Sequence, residues 1–125
     1  MATIYELTTA ESRLAELLWD NAPIASMELI RLAEAEFGWK KSTTFSVLKV
    51  LIKKGVAKNE NATVTMLCTR EQFVSMRSRR YVEDTFGGSL PGFITSFFDG
   101  KKLAPELAEE LRRLIDEHEG GERDG

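Results

Sequence analysis

Cysteine and histidine are nearly absent from this sequence: Cys68 and His118 are the sole representatives in 125 residues. One cysteine excludes a disulfide framework and a cysteine-built zinc site. Cys68 itself ends a strand-like stretch and reads as a small buried hydrophobe. One histidine, between Glu117 and Glu119, leaves a His-centred catalytic group a single candidate; its place near a helix end reads instead as an exposed residue favourable to the helix dipole. No apolar run reaches about 18 residues, which excludes a membrane-spanning helix. The first six residues lack the basic and apolar blocks of a signal peptide. The expected compartment is therefore the reducing cytoplasm. A Gly-rich phosphate loop, a Ser/His/Asp set and metal-ligand spacing are all missing, so no enzyme, cofactor or metal is expected.

What is present is ordinary in amount and uneven in placement. Apolar residues make up 42% and charged residues 30%, enough for one domain with a core, or one small domain and an appendage. The net charge is −3, which taken globally argues against a nucleic-acid partner. Its distribution argues the other way. Residues 37–59 hold Lys40, Lys41, Lys49, Lys53, Lys54 and Lys58 and no acidic side chain, while the acidic excess falls after residue 69. Local fields, not the net charge, steer a partner.

Local signals divide the chain into helices and one hairpin. Thr8 and Glu11 form a capping box ahead of a helix carrying Ala10, Leu14, Leu17, Leu18 and Trp19. Ser26 is the expected cap of a second helix with Met27, Leu29, Ile30, Ala33 and Phe37, closed by Gly38. Ser42 and Thr43 open a third, which ends at Gly55. Residues 56–58 and 63–68 read as strands around a turn at 59–62. A second capping box, Thr69 with Gln72, begins a long helix to about Phe86. Ser89 caps a short helix, and Pro105 suits the first position of the last one. The fold class is mainly α with a small β-hairpin. Three helices followed by a hairpin is the layout of a winged helix-turn-helix, whose third helix enters the DNA major groove. The expected division is a DNA-binding unit over 1–69, a helical dimerisation region over 70–118 and a flexible tail over 119–125.

On a helical wheel, Thr44, Val47, Leu48, Leu51 and Ile52 of the third helix face the core. Ser42, Ser46, Lys49 and Lys53 fall opposite, with Phe45 and Val50 on the flanks and Thr43 beyond. Short hydroxyls and lysines at this place can approach bases and phosphates. The candidate DNA-contacting residues are Lys40, Lys41, Ser42, Thr43, Phe45, Ser46, Lys49, Lys53 and, in the wing, Lys58. The cluster Arg77, Arg79 and Arg80 reads either as a phosphate contact or as a solvated face with ion pairs to Glu83 and Asp84. Acidic residues 106, 109, 110, 116, 117 and 119 read as the wet face of the last helix.

The segment from Phe86 onward is too apolar for the surface of a small domain. Phe93, Ile94, Phe97 and Phe98 make one face, with Phe86 and Leu90 as further interface candidates, and Leu107, Leu111, Leu114 and Ile115 make a stripe on the last helix. Two readings are open: a homodimer interface, or a closed six-helix core.

These residues resemble the BlaI/MecI/CopY, or penicillinase-repressor, family over nearly the whole chain. Leu7-Thr8-Thr9-Ala10-Glu11 with Leu14, Leu18 and Trp19 is similar to the family's opening. Ser42-Thr43 with Val47, Leu48, Leu51 and Lys53-Lys54-Gly55 resembles its recognition helix. Thr69 to Phe73 resembles its linker helix. Phe86 to Ser89, Phe97, Phe98, Leu103, Leu107, Leu111 and Leu114 resemble its dimerisation segment. The resemblance implies a homodimeric winged-helix repressor on a palindromic double-stranded DNA operator, with a helical C-terminal dimerisation arm. In some members a membrane sensor of β-lactams triggers proteolysis in the arm. The corresponding bond here is Ser96–Phe97, with Ser96 where the family has Asn. The paired CxC motifs of copper-responsive members are absent.

The reading helix departs from the family pattern. Phe45 and Val50 stand where the family commonly has Lys or Arg. Apolar side chains can touch thymine methyls and cannot make the bidentate guanine contact. Two functions stay open: a dimeric sequence-specific repressor, and a protein-interaction module in which Phe45 and Val50 form an apolar patch and DNA reading has been lost.

Overall fold

A computed structural model describes residues 6–120. The expected tail beyond residue 120, and the first five residues used in the signal-peptide argument, lie outside the described residues. Helices α1 (Thr9–Asn21), α2 (Ser26–Phe37) and α3 (Lys41–Lys53) come first, with a short strand β1 (Ile24–Ala25) between α1 and α2. The hairpin β2 (Ala57–Glu60) and β3 (Thr63–Met66) follows. Helices α4 (Arg70–Phe86), α5 (Leu90–Phe98) and α6 (Pro105–His118) complete the described chain.

Both expected capping boxes form. Thr8 Oγ1 accepts from the Glu11 N–H while Glu11 accepts from the Thr8 N–H, and Thr69 with Gln72 repeats the exchange at α4. Such a cap contributes about 1 kcal/mol and sets the entry direction of its helix. Ser89 Oγ caps α5 through the Gly92 N–H.

The start of α2 differs from expectation. Ala25 is its N-cap, and Ser26 is the first helical residue, buried. The Ser26 N–H instead donates to the Ala62 carbonyl at the wing tip, so a distant backbone group takes the place of a side-chain cap. The third strand was unforeseen. Ile24 and Ala25 pair with Val64 and Thr63, giving an antiparallel sheet in the order β1-β3-β2. Two residues are too short for alternation to be read from sequence.

The wing turn is also tighter than expected. Glu60 pairs with Thr63, so Asn59 and Glu60 belong to the strand and only Asn61 and Ala62 turn. Both adopt positive φ, 53° and 61°, as a two-residue type I′ hairpin requires. Alanine in place of the usual glycine hides the signal. Val56 precedes β2, and Cys68 lies beyond β3, half-buried rather than buried.

Leu14, Ala15 and Leu18 of α1, Leu29 and Ala33 of α2 and Leu48 and Leu51 of α3 close one core with Val56, Ala57 and Val64 of the wing. Each fully buried leucine contributes on the order of 2 kcal/mol. Thr44 is wholly buried, as expected of its face. Ile52, expected on the core face, is exposed, and so is Met27 of α2. On α3 the buried stripe is Thr44, Leu48 and Leu51, and Ile52 lies too far round the wheel to join it. Phe73 alone of α4 is buried, completing the core from outside the wing.

The closed six-helix core does not form. Helices α5 and α6 bury no residue. Tyr81, Phe86 and Phe93 meet edge to face at 5.6–6.1 Å and hold α5 against α4.

Candidate nucleic-acid interface

Helix α3 shows two faces of opposite character. Thr44, Leu48 and Leu51 anchor it in the core, while Lys41, Ser42, Thr43, Phe45, Ser46, Lys49 and Lys53 are all exposed. Lys40, at the N-cap, is exposed as well. No acidic residue lies on the helix. Gly38 ends α2 in the left-handed conformation, φ 71°, and lets the chain turn within three residues into α3. A short turn between two helices that share one core is what a helix-turn-helix requires.

No side chain caps the first turn of α3. Its backbone donors, with Lys40 and Lys41 beside them, make a favourable place for an anion such as a phosphate. The Lys41 ammonium stands 5.9 Å above the Phe45 ring, and Phe45 remains 38% exposed. Val50 is half-buried, so of the two apolar departures Phe45 is the more exposed.

The six-lysine block is divided by the fold. Lys54 turns inward: its Nζ donates to Glu11 Oε1 at 2.7 Å and to the Glu6 carbonyl at 2.6 Å. Burial of Glu11 works against its ionisation, yet the Lys54 ammonium and the Thr8 N–H outweigh it and hold the carboxyl below its ordinary range. Lys54 is thus a structural cation. Lys58 stays exposed on β2, 3.3 Å from Glu60. That exposed pair is weak and leaves Lys58 available to a stronger anion.

The other candidates sort plainly. Arg80 pairs with Asp84 at 3.1 Å within α4. His118 is exposed, its Nδ1 2.8 Å from the Leu114 carbonyl. Burial pushes the Cys68 thiol up, away from a reactive thiolate. Among the described residues no three of His, Cys, Asp and Glu come together as a metal site, and no helix is long and apolar enough to cross a membrane.

The arm carries its apolar residues outward. Leu90, Ile94, Phe97, Leu107, Leu111, Leu114 and Ile115 are exposed, and Phe86, Phe93 and Phe98 are half-buried. Between α5 and α6 lies an apolar groove of about 560 Å³, walled by Leu90, Ile94, Phe98, Leu111 and Leu114.

Sequence reasoning missed the residues that join this arm to the winged-helix unit. Arg70, the first residue of α4, donates from Nε to Glu16 Oε1 at 2.7 Å and from a terminal nitrogen to Asp20 Oδ1 at 2.9 Å. The only sequence signal was the i, i+4 spacing of the two carboxylates, which puts them on one helix face.

Three core helices, a short turn before an exposed basic helix and a three-stranded wing define a winged helix-turn-helix regulator. The family model of the penicillinase repressor matches residues 7–117, and the chain belongs to that family. Membership points to a transcriptional repressor, a regulator with DNA as its partner and not an enzyme. No curated protein matches the chain significantly.

Proposed function

We propose that the protein is a cytoplasmic, homodimeric, sequence-specific DNA-binding repressor that sets α3 of each chain in the major groove of one half of a palindromic operator. The observation that carries this is the exposed face of α3: lysines and small hydroxyls, no carboxylate, and a core-anchored opposite side. Lys40, Lys41, Lys49, Lys53 and Lys58 contact phosphates. Ser42, Thr43 and Ser46 hydrogen-bond to backbone or base edges, and Phe45 lies against a thymine methyl. Residues 1–69 form the reading unit and 70–118 the dimerisation region, where two copies cover each other's apolar arms.

Release by a sensor protease at Ser96–Phe97 fits the same reading. The bond is in exposed α5, and Phe97 is 69% exposed. An electrophoretic titration on the protein's own upstream DNA tests the core of the proposal. Binding that weakens steeply with salt supports it, and a folded dimer that ignores this DNA overturns it.

The exposed Phe45 favours a second reading, a protein-interaction module that has lost DNA reading. Under that reading the native chain ignores DNA, and Phe45→Lys with Val50→Arg creates affinity that was absent.

A further inference from the structure

Helix α4 is the mechanical link between the wing and the arm, and among the described residues its buried attachment lies in its first turns. Phe73 alone of its residues enters the core. It packs tilted against Trp19 with ring centroids 5.5 Å apart, and the Trp19 indole N–H donates to the Cys68 carbonyl at 2.8 Å, just before the helix begins. Over the indole ring too, 5.7 Å from its centre, lies the Arg70 guanidinium. Two carboxylates one helical turn apart, Glu16 and Asp20, each hold one nitrogen of that guanidinium. Trp19 and Phe73 supply a fulcrum. A fulcrum of two rings permits rotation, whereas a planar cation gripped at two points and resting on a ring resists it. Beside this junction, between Pro23, Met66 and the start of α4, runs an open groove of about 630 Å³, so that side of the helix is not propped by the wing.

We propose that Arg70 is a positioning residue: its two-carboxylate grip on α1 fixes the angle of the arm on the reading unit and so sets the half-site spacing the dimer accepts. The inference rests on the dimeric DNA-binding reading above. Lever arithmetic gives its scale. Helix α4 has 17 residues, which is about 25 Å of helix. A swing of about 10° at its first turn moves its far end by about 4 Å, roughly the rise of one base pair. A bivalent binder holds its second site by effective concentration, which collapses when the span is wrong and the joint is stiff. A looser joint lowers the peak affinity and widens the tolerated span.

The test starts from the footprinted upstream DNA, rebuilt with base pairs inserted one at a time between the half-sites. The native dimer is expected to lose about tenfold in affinity for each inserted base pair, and Arg70→Ala no more than about threefold, with a lower peak. Binding to a single half-site and the dimer mass stay as in the native protein. Glu16→Gln with Asp20→Asn must reproduce the flattened profile from the other side of the contact, and Arg70→Lys must restore part of the sharpness. A merely destabilising change would weaken all sites alike.

The second readout needs no DNA. Spin labels at Glu34→Cys and Thr85→Cys, in a Cys68→Ser chain diluted with an excess of unlabelled chain, report the distance between α2 and α4. A narrow distribution that broadens in Arg70→Ala supports the grip. An unchanged width, or an unchanged spacing profile, overturns it. If the native protein binds no DNA, the repressor reading falls and the distance widths still decide whether Arg70 holds the arm.

Discussion

Lys54 Nζ lies 2.7 Å from Glu11 Oε1, and the two side chains are only 10% and 11% exposed. One end of this pair sits in the capping box of α1 and the other just past α3, so a single ion pair ties α1 to α3. Removing one partner leaves the other charge without its mate in a desolvated place, which costs more than the pair itself contributes.

Glu11→Gln should therefore lower stability by about 2 kcal/mol at neutral pH, read by urea unfolding. The folded carboxyl is held below its ordinary value of 4.5. Its contribution is complete above that value and is lost as pH falls through the folded pKa. The native protein and Glu11→Gln should converge in stability toward acid. A gap that stays constant from neutral pH to about pH 3 would show that ionisation of Glu11 carries none of the effect.

Lys49→Ala and Lys53→Ala should weaken binding to every DNA sequence alike and leave the fold intact, because both side chains are exposed on α3. Each lysine that neutralises one phosphate should, when replaced, reduce the slope of log affinity against log salt by about 0.9. Lys54→Ala should instead destabilise the protein. Titrations at several salt concentrations, with melting curves beside them, separate the two behaviours.

Phe45 should read thymine through its methyl group. Replacing thymidine by deoxyuridine in the half-sites should weaken the native protein by roughly fivefold and leave Phe45→Ala nearly indifferent. Equal losses in both proteins would remove Phe45 from the bases.

Phe97 is the most exposed of the large apolar residues among those described. Phe97→Asp should turn the dimer into a folded monomer by sedimentation and weaken operator binding by abolishing bivalency. Sedimentation as a dimer would move the interface away from this face of α5.

Ala62 turns the wing tip at φ 61°. Ala62→Gly should raise stability by about 1 kcal/mol, since glycine adopts this backbone without steric cost. A fall in the melting temperature would show that the methyl group is worth more to the tip than the relief of strain.

The order of helices and hairpin was legible from the residues because caps, turns and helical periodicity act within about four positions of the chain. Thr8 with Glu11, Thr69 with Gln72, Ser89 and Pro105 each mark a helix start within one turn. The basic face of α3 was legible for the same reason: burying Thr44, Leu48 and Leu51 forces Ser42, Ser46, Lys49 and Lys53 outward. Two-residue β1 and the Ala62 carbonyl that serves α2 were not legible, since each depends on backbone groups brought together from afar, and the two-residue length of the turn was hidden by Ala62 at the place of the usual glycine.

Sequence alone thus determined a basic third helix and an apolar C-terminal segment. The tertiary structure decided which charges are available. Lys54 sits in the same basic run as Lys53, yet one is buried against Glu11 and the other exposed. Arg70 is bound to carboxylates 50 and 54 positions away. A lysine's role depends on the dielectric and the partner it meets, and both are set by the packing of distant segments.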